Sequence, residues 1–162
     1  MTRVSANALA SDYMQRDIIT VSPDDTLRDA LGLMTGNHVT GLPVMDGRSR
    51  CIGLITSSDI LSYEDERADA SSSTATTGFF DPETQQWESV PLSAFGLEEF
   101  GDMPVGDVMT RDLIWVEQST PLKEAARLML RYRVHRVLVM DDEARLYGIL
   151  SAFDFVRVVA ES

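Results

Sequence analysis

The sequence holds one cysteine and two histidines, and no apolar run approaches the ~20 residues a membrane-crossing helix requires. A lone Cys51 cannot form an internal disulfide, so a reducing cytoplasm is the expected compartment. His38 and His135 have no cysteine or second histidine near them at metal-ligand spacing, and no metal centre is expected. There is no Gly-x-Ser-x-Gly elbow and no phosphate-loop lysine, so nothing points to an enzyme. Basic residues are scarce: 14 Lys and Arg stand against 26 Asp and Glu, for a net charge of -12. Binding a nucleic-acid backbone needs a basic stripe that releases counterions, so nucleic acid is an unsuitable partner, as is an anionic membrane surface. The N-terminal residues Met1-Thr2-Arg3-Val4-Ser5-Ala6-Asn7 contain no signal-like apolar core.

What is present is a duplication. A shift of 95 positions carries Tyr13–Glu66 onto Val108–Glu161 without a gap, placing Met14 on Met109, Leu33-Met34 on Leu128-Met129, Val44-Met45-Asp46 on Val139-Met140-Asp141, Gly53 on Gly148 and Asp59 on Asp154. Such a register means one structural unit used twice. Each copy is too small to bury much apolar surface alone, so the copies are expected to pack face to face with pseudo-two-fold symmetry. The expected boundaries are a first repeat over residues 8–66, a linker over 67–104 and a second repeat over 105–162. With 44% hydrophobic and 25% charged residues, the composition is that of an ordinary globular chain.

Within the first copy, Ile18-Ile19-Thr20-Val21 reads as a strand and Leu27, Ala30, Leu31, Leu33 and Met34 as the apolar face of a helix stopped by Gly36-Asn37. Leu42-Pro43-Val44-Met45, the turn Asp46-Gly47 and Cys51–Ile55 read as a hairpin, and Thr56-Ser57-Ser58-Asp59 opens a second helix. The second copy repeats the order: strand Leu113–Val116, then a helix with Thr120 as cap, Pro121 at its first position and Leu122, Ala125, Ala126, Leu128 and Met129 on its face. Paired strands Val137–Met140 and Leu146–Leu150 follow, and Ser151-Ala152-Phe153-Asp154 opens the last helix. Met34, Met45, Met129 and Met140 recur in register and read as core. In the linker, the small polar stretch Glu64–Thr77 favours a mobile segment, while Gly78-Phe79-Phe80, Asp81–Thr84 and Trp87–Val90 suggest aromatic strands around a turn.

Gly53-Leu54-Ile55-Thr56-Ser57-Ser58-Asp59 and Gly148-Ile149-Leu150-Ser151-Ala152-Phe153-Asp154 are the most specific local signals. A hydroxyl followed three residues later by an acid forms a capping box, which satisfies free N–H groups at a helix start and does not require the glycine. The same geometry suits a nucleotide. Free N–H groups and a positive dipole end favour phosphate, a hydroxyl donates to phosphate oxygen, and a carboxylate accepts both hydroxyls of a ribose. Glycine lets a planar base or the backbone of the other repeat approach closely.

These motifs, with the Gly41–Asp46 segment and Val134–Val139, make the chain resemble a tandem pair of CBS domains, the cystathionine β-synthase type regulatory motif. The resemblance implies an α+β fold of two β-α-β-β-α repeats, an adenosine-ligand cleft between them, and modules that associate two by two into a disc. It implies that Asp59 and Asp154 bind ribose hydroxyls and that Thr56 and Ser151 reach ribose or phosphate. The base would be held by the opposite repeat, by Val134, His135 and Arg136 for the first motif and by Val39, Thr40 and Gly41 for the second. Asp112-Leu113 and Asp17-Ile18 would close over the base edge. Ser58 adds a hydroxyl to the first motif, and His135 with Arg136 offers cations for phosphate, so that site is expected to prefer the phosphorylated ligand. Phe153 occupies a position where a small polar residue is common.

The expected function is that of a homodimeric, non-catalytic sensor that binds AMP, ADP or ATP, with S-adenosylmethionine or NAD ranked behind them, and signals occupancy to a separate regulated protein. The alternative is a structural dimerisation module with vestigial sites.

Overall fold

Thr26 and Asp29 mark where the first long helix begins. In the computed structural model, which describes residues 7–65, 76–81, 83–91 and 101–161, the Thr26 hydroxyl accepts the Asp29 N–H at 3.1 Å while the Asp29 carboxylate accepts the Thr26 N–H at 3.3 Å. In chain order the elements are α1 (Ala10–Tyr13), α2 (Leu27–Asn37), β1 (Gly41–Met45), β2 (Cys51–Thr56), α3 (Ser57–Asp65), β3 (Thr76–Asp81), β4 (Gln86–Pro91), a 3-10 turn (Val105–Asp107), β5 (Trp115–Val116), α4 (Leu122–Tyr132), β6 (Arg136–Met140), β7 (Leu146–Ser151) and α5 (Ala152–Glu161). They form two compact units: one is Ile19–Asp112, the other joins the chain up to Ile18 to the chain from Leu113 onward.

The Ile19–Asp112 unit is built on the first repeat. Strands β1 and β2 pair antiparallel, with Gly41 opposite Thr56 and Val44 opposite Gly53. The strand expected at Ile18–Val21 shrinks to a single parallel bridge, Val21 against Val44. Val21, Leu27, Ala30, Met34, Leu42, Val44, Ile55 and Ile60 form the core, joined by Val105 and Met109 from the opening segment of the second repeat. That late segment also supplies the acceptors for the start of α2, since Leu27 N–H donates to Met103 C=O and Arg28 N–H to Gly101 C=O, both at 3.0 Å. Leu33, expected on the buried face, is exposed. The helix ends at Asn37, at the expected Gly36-Asn37 stop, and is capped by His38, whose φ of 54° is left-handed.

The other unit repeats the design with the chain's opening segment in the supporting role. Strands β5, β6 and β7 lie side by side, β5 parallel and β7 antiparallel to β6. Val116, Leu122, Ala125, Met129, Val137, Val139, Leu150 and Val158 pack with Ala8, Ala10 and Met14. Leu122 N–H donates to Ala8 C=O at 2.8 Å, the counterpart of the Leu27 contact. Thr120 does not cap α4 as expected. The cap position is Pro121, without a side-chain bond, and the Thr120 hydroxyl instead accepts the Glu117 N–H at 3.0 Å. Of the recurrent methionines, Met34, Met129 and Met140 are buried and Met45 is half-buried.

The aromatic strands expected in the linker form the hairpin β3–β4, with Phe80 opposite Trp87. Most of the polar stretch ahead of it, residues 66–75, lies outside the described residues. The Trp87 ring meets His38 edge-on, and its side chain is 55% exposed.

Candidate functional site

Strand β2 runs straight into α3, and β7 straight into α5, so each strand-to-helix junction presents a hydroxyl and, three residues on, an aspartate. In the first unit the capping box is complete: Asp59 Oδ2 accepts the Thr56 N–H and the Thr56 hydroxyl accepts the Asp59 N–H, both at 3.0 Å. In the second, Asp154 Oδ2 accepts the Ser151 N–H at 2.8 Å and the Ser151 hydroxyl at 3.1 Å. One oxygen of each aspartate therefore starts a helix. The other faces a neighbour.

That neighbour comes from the supporting segment. Thr110 pairs with Leu54 through two 2.9 Å backbone bonds, and its hydroxyl donates to Asp59 Oδ1 at 3.1 Å. Gln15 pairs with Ile149 in the same way, at 2.8 and 3.0 Å, and its side-chain amide donates to Asp154 Oδ1 at 2.8 Å. Gln15 and Thr110 are equivalent under the 95-residue shift. Neither was among the residues the sequence singled out, although each follows a recurrent methionine that was.

The glycines answer to the same segment. A Cβ on Gly53 would lie 2.5 Å from Met109 Sδ and 3.1 Å from Thr110 O. On Gly148 it would lie 2.6 Å from Met14 Sδ and 2.9 Å from Gln15 O. Of the two close approaches envisaged for this position, the backbone one is realised, and it comes from the start of the opposite repeat.

The remaining expected site residues fall into two groups by unit. Thr40 and Gly41 adjoin Thr56, with Gly41 opposite Thr56 and Ser57 N–H donating to Thr40 C=O at 3.0 Å; Ser58 is exposed. Val39 is 36% exposed, and Asp112, which ends this unit, is exposed. Val134, His135 and Arg136 lead into β6, where Arg136 lies opposite Ser151 and His135 C=O accepts the Ala152 N–H at 2.8 Å. Asp17, Ile18 and Leu113 belong to this second unit. Phe153 is 76% exposed, which removes a core role for it.

Two carboxylates away from the junctions carry depressed pKa values. Asp46 is held below its ordinary value chiefly by the Arg50 N–H, and Asp141 chiefly by the Arg145 N–H, each at the turn of its unit's hairpin. Burial pushes the Cys51 thiol up. Among the described residues, no group of three or more His, Cys, Asp or Glu is placed to hold a metal, and no helix is long and apolar enough to cross a membrane.

The CBS domain profile matches residues 10–66 and 105–161. The chain belongs to the CBS domain family. A CBS domain-containing protein of Arabidopsis thaliana, CBSX2, named as chloroplastic, is 31% identical over 93% of this chain. The crystal structure of CBSX2 in complex with AMP superposes with a TM-score of 0.69 at 28% identity, covering 94% of this chain and 96% of that one. An inosine-5'-monophosphate dehydrogenase of Methanocaldococcus jannaschii is 30% identical over 96% of this chain. The chain spans 24% of the dehydrogenase and 63% of CBSX2. A CBS domain pair solved with 5'-methylthioadenosine and S-adenosyl-L-methionine shares the fold, with a TM-score of 0.66 at 19% identity.

Proposed function

We propose that this CBS pair is a regulatory sensor that binds an adenosine-bearing ligand, AMP, ADP or ATP first and S-adenosylmethionine or NAD behind them, and passes its occupancy to a partner protein. The observation that carries the reading is the duplicated junction, in which a carboxylate, a hydroxyl and the start of a helix converge in a chain that resembles an AMP-binding relative over nearly its full length. The ribose is assigned to Asp59 and Asp154, with Thr56, Ser58 and Ser151 reaching ribose or phosphate. Arg136 and His135 are assigned to phosphate, because a guanidinium matches its geometry in a bidentate fashion. Val39, Thr40, Gly41, Val134, Asp17, Ile18, Asp112 and Leu113 are assigned to the base. Cytoplasmic location, a homodimer and the absence of catalysis belong to the same proposal.

Thermal unfolding across AMP, ADP, ATP, NAD and S-adenosylmethionine tests it. A ligand at about a hundred times its dissociation constant adds about 2.7 kcal/mol of stability. Asp59→Asn should weaken AMP and adenosine alike, by about tenfold to a hundredfold, because it loses hydrogen bonds to a charged group. Arg136→Ala should weaken AMP far more than adenosine.

The second reading, a structural module with vestigial sites, draws on the same junctions, since donors from the chain itself already occupy both aspartates. It requires that none of these ligands shifts the melting temperature.

A further inference from the structure

Resting on the adenosine-ligand reading above, we propose that Gln15 and Arg157 latch the Asp154 junction shut, so that Asp59 alone anchors the ligand and the resting chain takes up a single equivalent.

A carboxylate offers about four lone-pair sites to donors. At Asp154 three hydrogen bonds and an ion pair are in place: Gln15 Nε2 donates to Oδ1 at 2.8 Å, the Ser151 N–H at 2.8 Å and the Ser151 hydroxyl at 3.1 Å donate to Oδ2, and the Arg157 guanidinium pairs with Oδ1 at 3.5 Å. The side chain is correspondingly enclosed, and the residue is only 2% exposed. At Asp59 the donors are the Thr110 hydroxyl at 3.1 Å on Oδ1 and the Thr56 N–H at 3.0 Å on Oδ2, and the residue is half-buried. Acceptor capacity remains there for the hydroxyls of a ribose.

The difference lies in two substitutions between equivalent positions. Where the second unit has Gln15, the first has Thr110; where it has Arg157, the first has Ser62. Arg157 also donates to Tyr13 C=O at 3.1 Å, so one guanidinium ties α5 both to the aspartate and to the segment that carries Gln15. A ribose reaching Asp154 must displace a neutral amide and a cation from a buried carboxylate. At Asp59 it must turn aside one threonine hydroxyl.

Calorimetric titration of the full chain with AMP decides the matter. The wild type should take a single equivalent, and Asp59→Asn should weaken it about tenfold to a hundredfold. The double variant Gln15→Thr with Arg157→Ser, which gives the second junction the residues of the first, should gain a second equivalent. Adding Asp59→Asn to that double variant should leave one equivalent at full affinity and weaken the other about tenfold to a hundredfold. Gln15→Thr alone serves if the double variant melts before titration, and should also gain the second equivalent. A wild type that takes two equivalents, an Asp59→Asn protein that keeps one at full affinity, or a folded unlatched variant that gains none would each overturn the latch. The absence of any binding of AMP to wild type and unlatched variant alike would overturn the ligand reading itself, and the latch with it.

Discussion

The indole of Trp87 meets the imidazole of His38 edge-on, with the ring centroids 5.9 Å apart and the planes at 89°. His38 is the left-handed residue that ends α2, so the contact fastens the inserted hairpin to a rigid point on the first repeat. Edge-to-face aromatic pairs contribute about 0.5–1.5 kcal/mol, and the exposure of Trp87 places this one at the low end. A double-mutant cycle with His38→Ala and Trp87→Ala should return a coupling of about 0.5 kcal/mol. A coupling indistinguishable from zero would mean that the hairpin is not fastened there.

The tight approach of Gln15 and Thr110 to the two glycines makes an asymmetric prediction. Gly148→Ala meets the Gln15 carbonyl, held by two backbone bonds, at 2.9 Å, whereas Gly53→Ala meets the Thr110 carbonyl at 3.1 Å. Overpacking of this kind costs about 1–3 kcal/mol, and Gly148→Ala should fall toward the upper end with Gly53→Ala below it. Urea unfolding of the two variants checks the order.

Thr26 and Thr120 each lie just before a long helix but differ in role, since the 95-residue shift places Thr26 on Pro121 and Thr120 on Asp25. Thr26→Ala removes a true cap and should cost about 1 kcal/mol. Thr120→Ala removes only the acceptor of the Glu117 N–H, an exposed contact, and should cost less. Chemical denaturation showing equal losses would contradict the assignment of caps.

Asp46 and Asp141 should give the chain an acid-labile component. Both carboxylates lie below their ordinary value of 3.8 in the folded chain, so each favours the folded state at pH above that value. The contribution disappears as the pH falls through the lowered folded values and the carboxylates protonate in both states. The melting temperature of Asp46→Asn/Asp141→Asn should therefore lie below that of wild type at neutral pH, with the gap closing under acid conditions.

Phe153, Val156 and Val159 recur on one side of α5 and are 76%, 61% and 70% exposed. Their counterparts on α3 are Ser58, Leu61 and Glu64, so the two final helices differ at these positions, and Ile60 on α3 is fully buried. Under the proposed homodimer, these exposed apolar residues are where two copies would meet. Light scattering should report a mass above the 18.0 kDa of one chain, and Val156→Asp should return it to the monomer value.

The repeat, the β-α-β-β-α order, the hairpin turns and the glycine-to-aspartate junctions could be read without coordinates, because each depends on residues close in sequence and each appears twice. The family followed from the same pattern. What the sequence could not show is which distant segment completes each unit. Val105, Met109 and Thr110 finish the core and junction of the first repeat, while Ala8, Met14 and Gln15 finish those of the second. Such pairings join residues 51 apart at Asp59 and 139 apart at Asp154, and leave no periodicity. The strand at Ile18–Val21 dwindled to one bridge for a related reason: strand length is set by the partner it finds, not by β-branched residues alone. The two aspartates are indistinguishable as letters. Only folding, by bringing Gln15 and Arg157 to one and Thr110 to the other, enclosed the first among three hydrogen bonds and an ion pair and left the second half-buried with two hydrogen bonds.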